Sequence, residues 1–534
     1  MENKPIYLKQ NALAEPLVNQ WYAWTNLISP ATAAMYIANW HLRIMQSFVT
    51  APHTHIAALK DSRMLGGPFI NYKEDRVGEI HELLKKTKKE QSHLIEFAAS
   101  IKSLDSLLAK EADGHSLQPF YSKIPSNLKG FVELVYDLNN NPSIRFIEGL
   151  LYKSRYYNSA SQSLMLSLVE DDHRPFVFTT PRFIEKGRLQ LHLPFHDQRI
   201  DQLFRMKQTP GFYGEIKEAL EVEEKDEALF TSFFTDRLEN RPARYNGDGV
   251  RIRYMGHACL LIESATVSIL TDPVVSYECK AGISRYTYAD LPDVIDYALI
   301  THNHQDHCML ETLLQLRHKI KTIIVPRSES GALADPSMVR LFRRLGFDQV
   351  RGIDEMETIE MDAGEILGIP FIGEHADLNI GAKISYLITL KNKKIFCIAD
   401  SNNLDTELYR HLEDELKNLD ALFLGMECDG APMSWLYGPL LTTPLPRKMD
   451  QSRRFDGSDY ERAIYMIDRI SPKQVYVYAM GQEPWLKYLT SIQYASDSRP
   501  ILESDKLINE CRVRGLASER LYGQGEIFLP PDPG

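Results

Sequence analysis

The stretch Thr301-His302-Asn303-His304-Gln305-Asp306-His307 places three imidazoles and a carboxylate within six residues. Neutral imidazole and ionised carboxylate are the side chains that ligate divalent first-row metals. In an extended segment, residues two apart project to the same side, so His302 and His304 are placed to grip one ion. A turn at Gln305 then swings Asp306 and His307 to a neighbouring position, where they can hold a second. The bland alternative is a solvated loop of surface histidines, and the setting argues against it. The apolar run Tyr297-Ala298-Leu299-Ile300 reads as a buried strand, and Leu310 to Leu316 carries apolar residues at helical spacing. A loop between such elements is where sites form in α/β proteins.

The H-x-H-x-D-H pattern resembles that of the metallo-β-lactamase superfamily. So do Gly256-His257-Ala258, followed by Leu260-Leu261-Ile262-Glu263, and Leu270-Thr271-Asp272-Pro273. The likeness covers about residues 248 to 430. It implies an αββα sandwich with a dinuclear site at one edge of the sheets, with Asp272 as a structural aspartate behind the metal loop. His257 is either a hydrogen-bond partner of a ligand or a turn residue.

Two ions need more donors than one loop supplies, and the superfamily draws them from the ends of later strands. Asp400, closing the run Ile395-Phe396-Cys397-Ile398-Ala399, matches the metal-bridging aspartate. The segment Gly373-Glu374-His375 offers a choice. His375 would give a nitrogen-rich site suited to a zinc-bound hydroxide and hydrolysis. Glu374 would give His302, His304 and Glu374 on one ion and Asp306, His307 and Asp400 on the other, close to the two-His, one-carboxylate sets of oxygen-activating iron. Hydrolytic members usually supply a further histidine near the C-terminus, yet no histidine follows His411.

A closer resemblance spans the chain. Thr301 to Gln315, Gly373-Glu374-His375, Ile398-Ala399-Asp400 and Gly425-Met426-Glu427-Cys428-Asp429-Gly430-Ala431-Pro432 look like the diiron β-hydroxylases of nonribosomal peptide and chloramphenicol-type antibiotic pathways. That likeness implies a metallo-β-lactamase-fold monooxygenase with Glu374 as an iron ligand, two non-haem irons, O2 as co-substrate and an external electron-donor protein. The substrate it implies is an aminoacyl group tethered as a thioester to a carrier domain, hydroxylated at Cβ, and the enzyme a homodimer. A dizinc hydrolase acting on a phosphodiester, lactone or amide is the alternative. Glu427 is the candidate catalytic proton donor or hydrogen-bond partner. Trp435 and Tyr437 are candidates for a substrate pocket, and Arg453 and Arg454 for a phosphopantetheine clamp.

These residues need elements to hold them. At 534 residues the chain is too long for one ordinary core. We expect a mixed α+β N-terminal domain over 1–245, serving assembly or carrier docking, and a metallo-β-lactamase-fold catalytic domain over 246–534 with a C-terminal extension and a lid at 429–456. Within the first, Leu17 to Met45 reads as helix broken at Pro30, His81 to Leu108 as helix, and Glu215 to Leu238 as one or two helices. Phe176 to Thr180 and Leu189 to Leu193 read as strands. His53 and His55 share the H-x-H spacing without an acidic partner and read as a solvated loop; Asn240 to Gly249 reads as the linker. In the second, strand and helix patterns alternate, with Gln474 to Tyr478 as the last strand. Asp429 to Asp456 shows no periodicity, which suits a lid.

Hydrophobic content of 44% and charged content of 25% are those of a soluble globular protein. A formal charge of −11 argues against a nucleic-acid partner. The N-terminus lacks a secretory signal and no run approaches the roughly 20 apolar residues that span a bilayer, so a cytoplasmic, membrane-free protein is expected. The six cysteines show no C-x-x-C spacing and read as reduced thiols, Cys308 chiefly as packing.

Overall fold

The computed structural model describes residues 5–61, 64–72, 76–237 and 244–532. The second half is built on two seven-stranded sheets. One runs Val350–Ile353, Ile320–Pro326, Ile295–Leu299, Ser268–Thr271, Cys259–Glu263, Val250–Gly256 and Gly525–Leu529 in spatial order. The other runs Thr358–Met361, Gly364–Ile369, Ser385–Leu390, Lys393–Cys397, Ala421–Gly425, Gln474–Tyr478 and Ala517–Arg520. Each sheet is antiparallel on one side and parallel on the other. Ile252, Leu260, Ile262, Ile269, Leu299 and Ile324 of the first pack against Ile366, Tyr386, Ile388, Ile395 and Phe423 of the second, which is why both strand sets are apolar on facing positions.

Helices close the outer faces. Leu412, Leu416, Met466, Ile467, Leu507 and Ile508 cover the second sheet through Phe396, Leu422, Leu424, Val475 and Val477. The first sheet is covered by Leu310–Leu316 and by the N-terminal half, whose helices Val77–Glu90 and Ser92–Glu111 share one apolar cluster with Leu310, Leu313, Val325 and Phe342. The αββα sandwich expected from the sequence is present, with a mixed α+β unit before it.

Several local readings need correction. Leu17 to Tyr22 is a tight hairpin, its turn at Asn19-Gln20, because Ala12–Val18 pairs with Trp21–Tyr22 and with Gln162–Leu168; helix begins at Thr25, and Pro30 opens the helix Pro30–Tyr36 as its fixed φ favours. Phe176 to Thr180 is a turn rather than a strand. Its backbone goes to non-neighbours, Val177 N–H to Tyr488 O and Phe178 O to the Trp40 indole, so burial on both sides mimicked alternation. His55 is buried in the helix Pro52–Ala58, accepting the Ile70 N–H, and is no solvated loop. Gln474–Tyr478 is followed by two more strands. The segment 429–456 is not structureless: it carries Ser434–Tyr437, the turn Gly438–Leu440 and Arg447–Ser452. The expected linker from Asn240 lies outside the described residues up to position 243.

Candidate metal centre

The expected ligands come from strand exits at one edge of the sandwich. The metal loop follows Ile295–Leu299, Asp272 follows Ser268–Thr271, Asp400 follows Lys393–Cys397, Glu427 follows Ala421–Gly425 and Ala479 follows Gln474–Tyr478. Glu374 lies in the connection between Gly364–Ile369 and Ser385–Leu390, tied to the metal loop by the Ile384 N–H to Thr301 O bond. Left-handed backbone collects at this edge: φ is 53° at His257, 32° at Asp272, 64° at Glu374 and 53° at both Ala399 and Ala479. Non-glycine residues pay for that conformation, and such outliers cluster where a site dictates side-chain direction.

Donor atoms of His302, His304 and Glu374 lie within 4.8 Å of one another, and so do those of His302, His307 and Asp400. His257, Asp306 and His307 form a third such group. Hydrogen bonds decide which nitrogens are free. Thr301 donates both its N–H and its hydroxyl to Asp272, at 2.7 and 2.6 Å, so its oxygen accepts from His302 Nδ1 at 3.0 Å. That leaves the lone pair on His302 Nε2, which is buried with no partner. His307 donates Nδ1–H to Asp272 at 2.9 Å and turns Nε2 towards Asp400, 3.1 Å away. One buried aspartate thereby sets the tautomer of two imidazoles, the usual outer support of a metal-bound histidine.

His304 Nδ1 faces Glu374 Oε1 at 2.8 Å, while its Nε2 points to the Tyr437 hydroxyl at 3.4 Å. His257 accepts the Gly481 N–H at Nδ1, so its Nε2 carries the proton, 3.1 Å from His307 Nε2 and 3.4 Å from Asp306 Oδ2. A nitrogen bearing that proton is no ligand; His257 is a hydrogen-bond neighbour of His307 and Asp306. His375 is buried beside this set but outside each donor group. It stacks on His304 at 4.5 Å, and its Nδ1 sits 2.7 Å from Glu374 Oε2 without making a hydrogen bond.

Charge completes the fit. Burial alone would push the Glu374 and Asp306 carboxyls up, but the surrounding imidazoles hold both far down, so they are ionised. Burial and the neighbouring imidazoles push His302 well below its usual range, so it is neutral. Four carboxyl groups, Asp272, Asp306, Glu374 and Asp400, thus gather at this edge, and three donor atoms there lack a hydrogen-bond partner: His302 Nε2, Glu374 Oε2 and Asp400 Oδ1. Buried polar atoms do not go unpaired without cause, and facing carboxylate oxygens and imidazole lone pairs are a donor set for divalent metals. The residues present fit a dinuclear carboxylate–histidine centre.

A cavity of about 360 Å³ opens onto this centre. Its wall includes His304, Asp306, Glu374, Asp400, Glu427, Trp435, Leu436 and Phe455, and also Leu65, Gly66 and Gly67 from the N-terminal half and Thr490, Ser491 and Ile492. The last two triplets escaped the sequence reading; only the Gly-Gly pair hinted at a close backbone approach. Trp435 lines the cavity and donates its indole N–H to Gly66 O at 3.0 Å. Tyr437 reaches the site through His304 rather than through the wall. Arg453 and Arg454 are not in the wall: Arg453 donates to Ala376 O at 2.9 Å, and Arg454 pairs with Asp429 at 3.3 Å. Burial, with Asp400, Asp456 and Asp429 nearby, raises the Glu427 carboxyl to about 8. Cys308 is fully buried in the core, as its packing role requires.

Comparisons with known proteins bear on the family. Residues 7–237 match the family described as the diiron non-haem β-hydroxylase N-terminal domain, and residues 251–427 match the β-lactamase superfamily domain. The 4-amino-L-phenylalanyl-[CmlP-peptidyl-carrier-protein] 3-hydroxylase of Streptomyces venezuelae is 36% identical over 523 residues, spanning 96% of this chain and 98% of its own. The crystal structure of CmlA, a diiron β-hydroxylase from the same organism, superposes with a TM-score of 0.92 at 34% identity, over 98% of this chain and all of that one. A metal-dependent hydrolase from Ligilactobacillus salivarius is 27% identical, over only 28% of this chain.

Proposed function

The chain belongs to the diiron non-haem β-hydroxylase family, and from that premise we propose that it hydroxylates Cβ of an aminoacyl group held as a thioester on a carrier protein of nonribosomal peptide synthesis. It is an O2-dependent monooxygenase with two iron ions. The observation that carries the reading is the clustering of donors: His302, His304 and Glu374 form one group, His302, His307 and Asp400 another and His257, Asp306 and His307 a third, with His375 outside each. On it we assign His302, His304 and Glu374 to one iron and Asp306, His307 and Asp400 to the other. When bound, the iron pair activates O2 for attack on the C–H bond. The chain's own groups do the rest. Asp272 and Thr301 hold His302 and His307 in the tautomers that present Nε2, and His257 holds Asp306. Trp435, Leu436, Phe455 and Leu65 exclude water and give the acyl group an apolar wall.

One oxygen atom enters the substrate and the other leaves as water, so each turnover consumes two electrons that an external donor protein must supply. A homodimer and a cytoplasmic location come with the family resemblance as part of the same proposal. Among the described residues no helix is long and apolar enough to cross a membrane. The hydrolase reading finds no support in the site: at the exit of Gln474–Tyr478, a wall position of the cavity, stands Ala479 rather than an imidazole. The test of the ligand set is metal retention. Glu374→Ala loses iron from one position while His375→Ala keeps close to two irons per chain; the reverse pattern would return the site to a hydrolase.

A further inference from the structure

The cavity wall holds five carboxylates and, among the described residues, no lysine or arginine. Asp306, Glu374 and Asp400 belong to the donor set. Asp429 is exposed and paired with Arg454 at 3.3 Å. Glu427 is left. Its side chain is bonded only to a neutral group, the Tyr494 hydroxyl, 3.3 Å from Oε1, and no ion pair is made by it among the described residues. Oε2 faces Gly430, where a Cβ would stand 3.1 Å from it; the backbone oxygen of Phe455 approaches that same position more closely still.

Glu427 is also fixed relative to the metal pair. It stands two residues past Ala421–Gly425, which runs parallel to Lys393–Cys397, the strand that Asp400 follows. Gly425 packs so closely there that a Cβ would lie 2.6 Å from Ala399 O and 3.1 Å from Asp400 Oδ1. The Glu427 backbone oxygen accepts the Gly457 N–H at 2.6 Å. The carboxylate is therefore held at a set place beside the donor Asp400, inside the space the substrate must enter.

We propose that Glu427 receives the α-ammonium of the carrier-bound aminoacyl group, and so sets both the position of Cβ and the requirement for a free amine. This rests on the function proposed above. The α-nitrogen and Cβ are bonded to the same carbon, so a Cβ held over the metal pair brings the nitrogen along the same wall. An α-amine titrates near neutrality; the Glu427 carboxyl, raised to about 8 by burial and its carboxylate neighbours, lacks a countercharge, and an α-ammonium facing it supplies one, so the pair favours the ionised carboxylate and the protonated amine together. Such a charge-assisted contact in a water-poor cavity fixes orientation as well as affinity. An acylated nitrogen loses the charge and adds bulk, so peptidyl groups are refused. The reaction that consumes the product is then amide formation at that same nitrogen, after hydroxylation.

The experiment uses the full-length, iron-loaded protein and a carrier loaded with three groups: the 4-amino-L-phenylalanyl group named for the Streptomyces relative, its analogue lacking only the α-amine, and its Nα-acetyl form. The side-chain amine is constant across the three, so only the α-position is varied. With the wild type, removal of the α-amine lowers kcat/KM and carrier affinity by roughly tenfold to a hundredfold, the worth of a hydrogen bond to a charged group, and the acetylated form is not hydroxylated. With Glu427→Gln, iron stays at two per chain while the advantage of the free amine shrinks to within a few-fold. Equal loss on amine-bearing and amine-lacking carriers would assign Glu427 to proton or metal chemistry and overturn the proposal. Equal turnover of all three groups by the wild type would overturn it too, leaving the hydroxylase intact. No turnover of any group would overturn both.

Discussion

Asp272 shows how much a single residue can settle. It is fully buried and accepts three hydrogen bonds, from Thr301 N–H, the Thr301 hydroxyl and His307 Nδ1–H. Asp272→Asn replaces an acceptor oxygen by an amide donor and removes the preference for the tautomer that frees His307 Nε2. We predict a loss of iron affinity of about ten- to a hundredfold at the His307 position, read by iron titration against the wild type. Undiminished affinity would show that Asp272 serves the fold alone. The six proposed ligands were legible in the sequence for different reasons. His302, His304, Asp306 and His307 share one short loop, so spacing alone reveals them, whereas Glu374 and Asp400, and the supporting Asp272, needed the family pattern. The role of His257 was not legible, because it rests on a hydrogen bond to Gly481 from 224 positions away.

Two elements from the N-terminal half reach the centre, and neither announces itself by composition. The first is a buried ion-pair network. Arg174 donates to Glu311 at 3.0 and 2.6 Å and to Glu15 at 2.7 Å, and Arg182 donates to Glu15 at 3.1 Å. Glu311 lies in Leu310–Leu316, the helix that follows the metal loop, so Arg174 ties the strand Ala12–Val18 to it. Burial alone would push the Glu15 carboxyl up, but Arg182 and Arg174 outweigh it and hold it at about 2. Its folded value is depressed, so the unfolded chain binds more protons as pH falls from about 4.5 to about 2, and the stabilisation, on the order of 3 kcal/mol, is lost across that window. Denaturant midpoints measured against pH should fall there more steeply than in Glu15→Gln, and parallel curves would contradict the assignment. Arg174→Met leaves the buried Glu311 without its cation and Glu15 with Arg182 alone, and should cost about 3–5 kcal/mol.

The second element is the turn at Gly66. Its φ is 77°, and a Cβ there would stand 3.0 Å from the Ser491 Cβ. Gly66→Val therefore moves the wall contributed by Leu65 to Gly67 while touching no metal ligand. We expect iron content to stay at two per chain and KM for the loaded carrier to rise at least several-fold; an unchanged KM would show that this turn is not a wall of the working cavity. Phe176 to Thr180 teaches the same lesson from the other side. Its apolar residues predicted a strand, but they are buried because the segment is wedged against Trp435 and Tyr488, and periodicity cannot tell one cause of burial from the other.

For the whole molecule, the sandwich was legible because each strand alternates or runs apolar for one packed face, while the joint between the halves was not. The sequence marks a boundary near residue 245 but carries no sign of how the halves join. One apolar cluster joins Phe97, Ile101, Leu203 and Phe204 to Leu310, Leu313, Met338 and Phe342. A fragment over 246–534 exposes that surface, and we expect it to aggregate on size-exclusion chromatography rather than bind iron as a monodisperse protein. The N-terminal half is thus structural to the site, beyond any role in docking. The central claim is that this centre uses O2 to hydroxylate an aminoacyl group while the thioester stays intact. Its most direct test is a single turnover: full-length protein loaded with iron, reduced without air, mixed with aminoacyl carrier and then with isotopically labelled O2, and the intact carrier weighed by mass spectrometry. The account predicts a loaded carrier heavier by one labelled oxygen atom, in an amount set by the electrons supplied. A carrier freed of its acyl group, with no label incorporated, would show a hydrolase and contradict it.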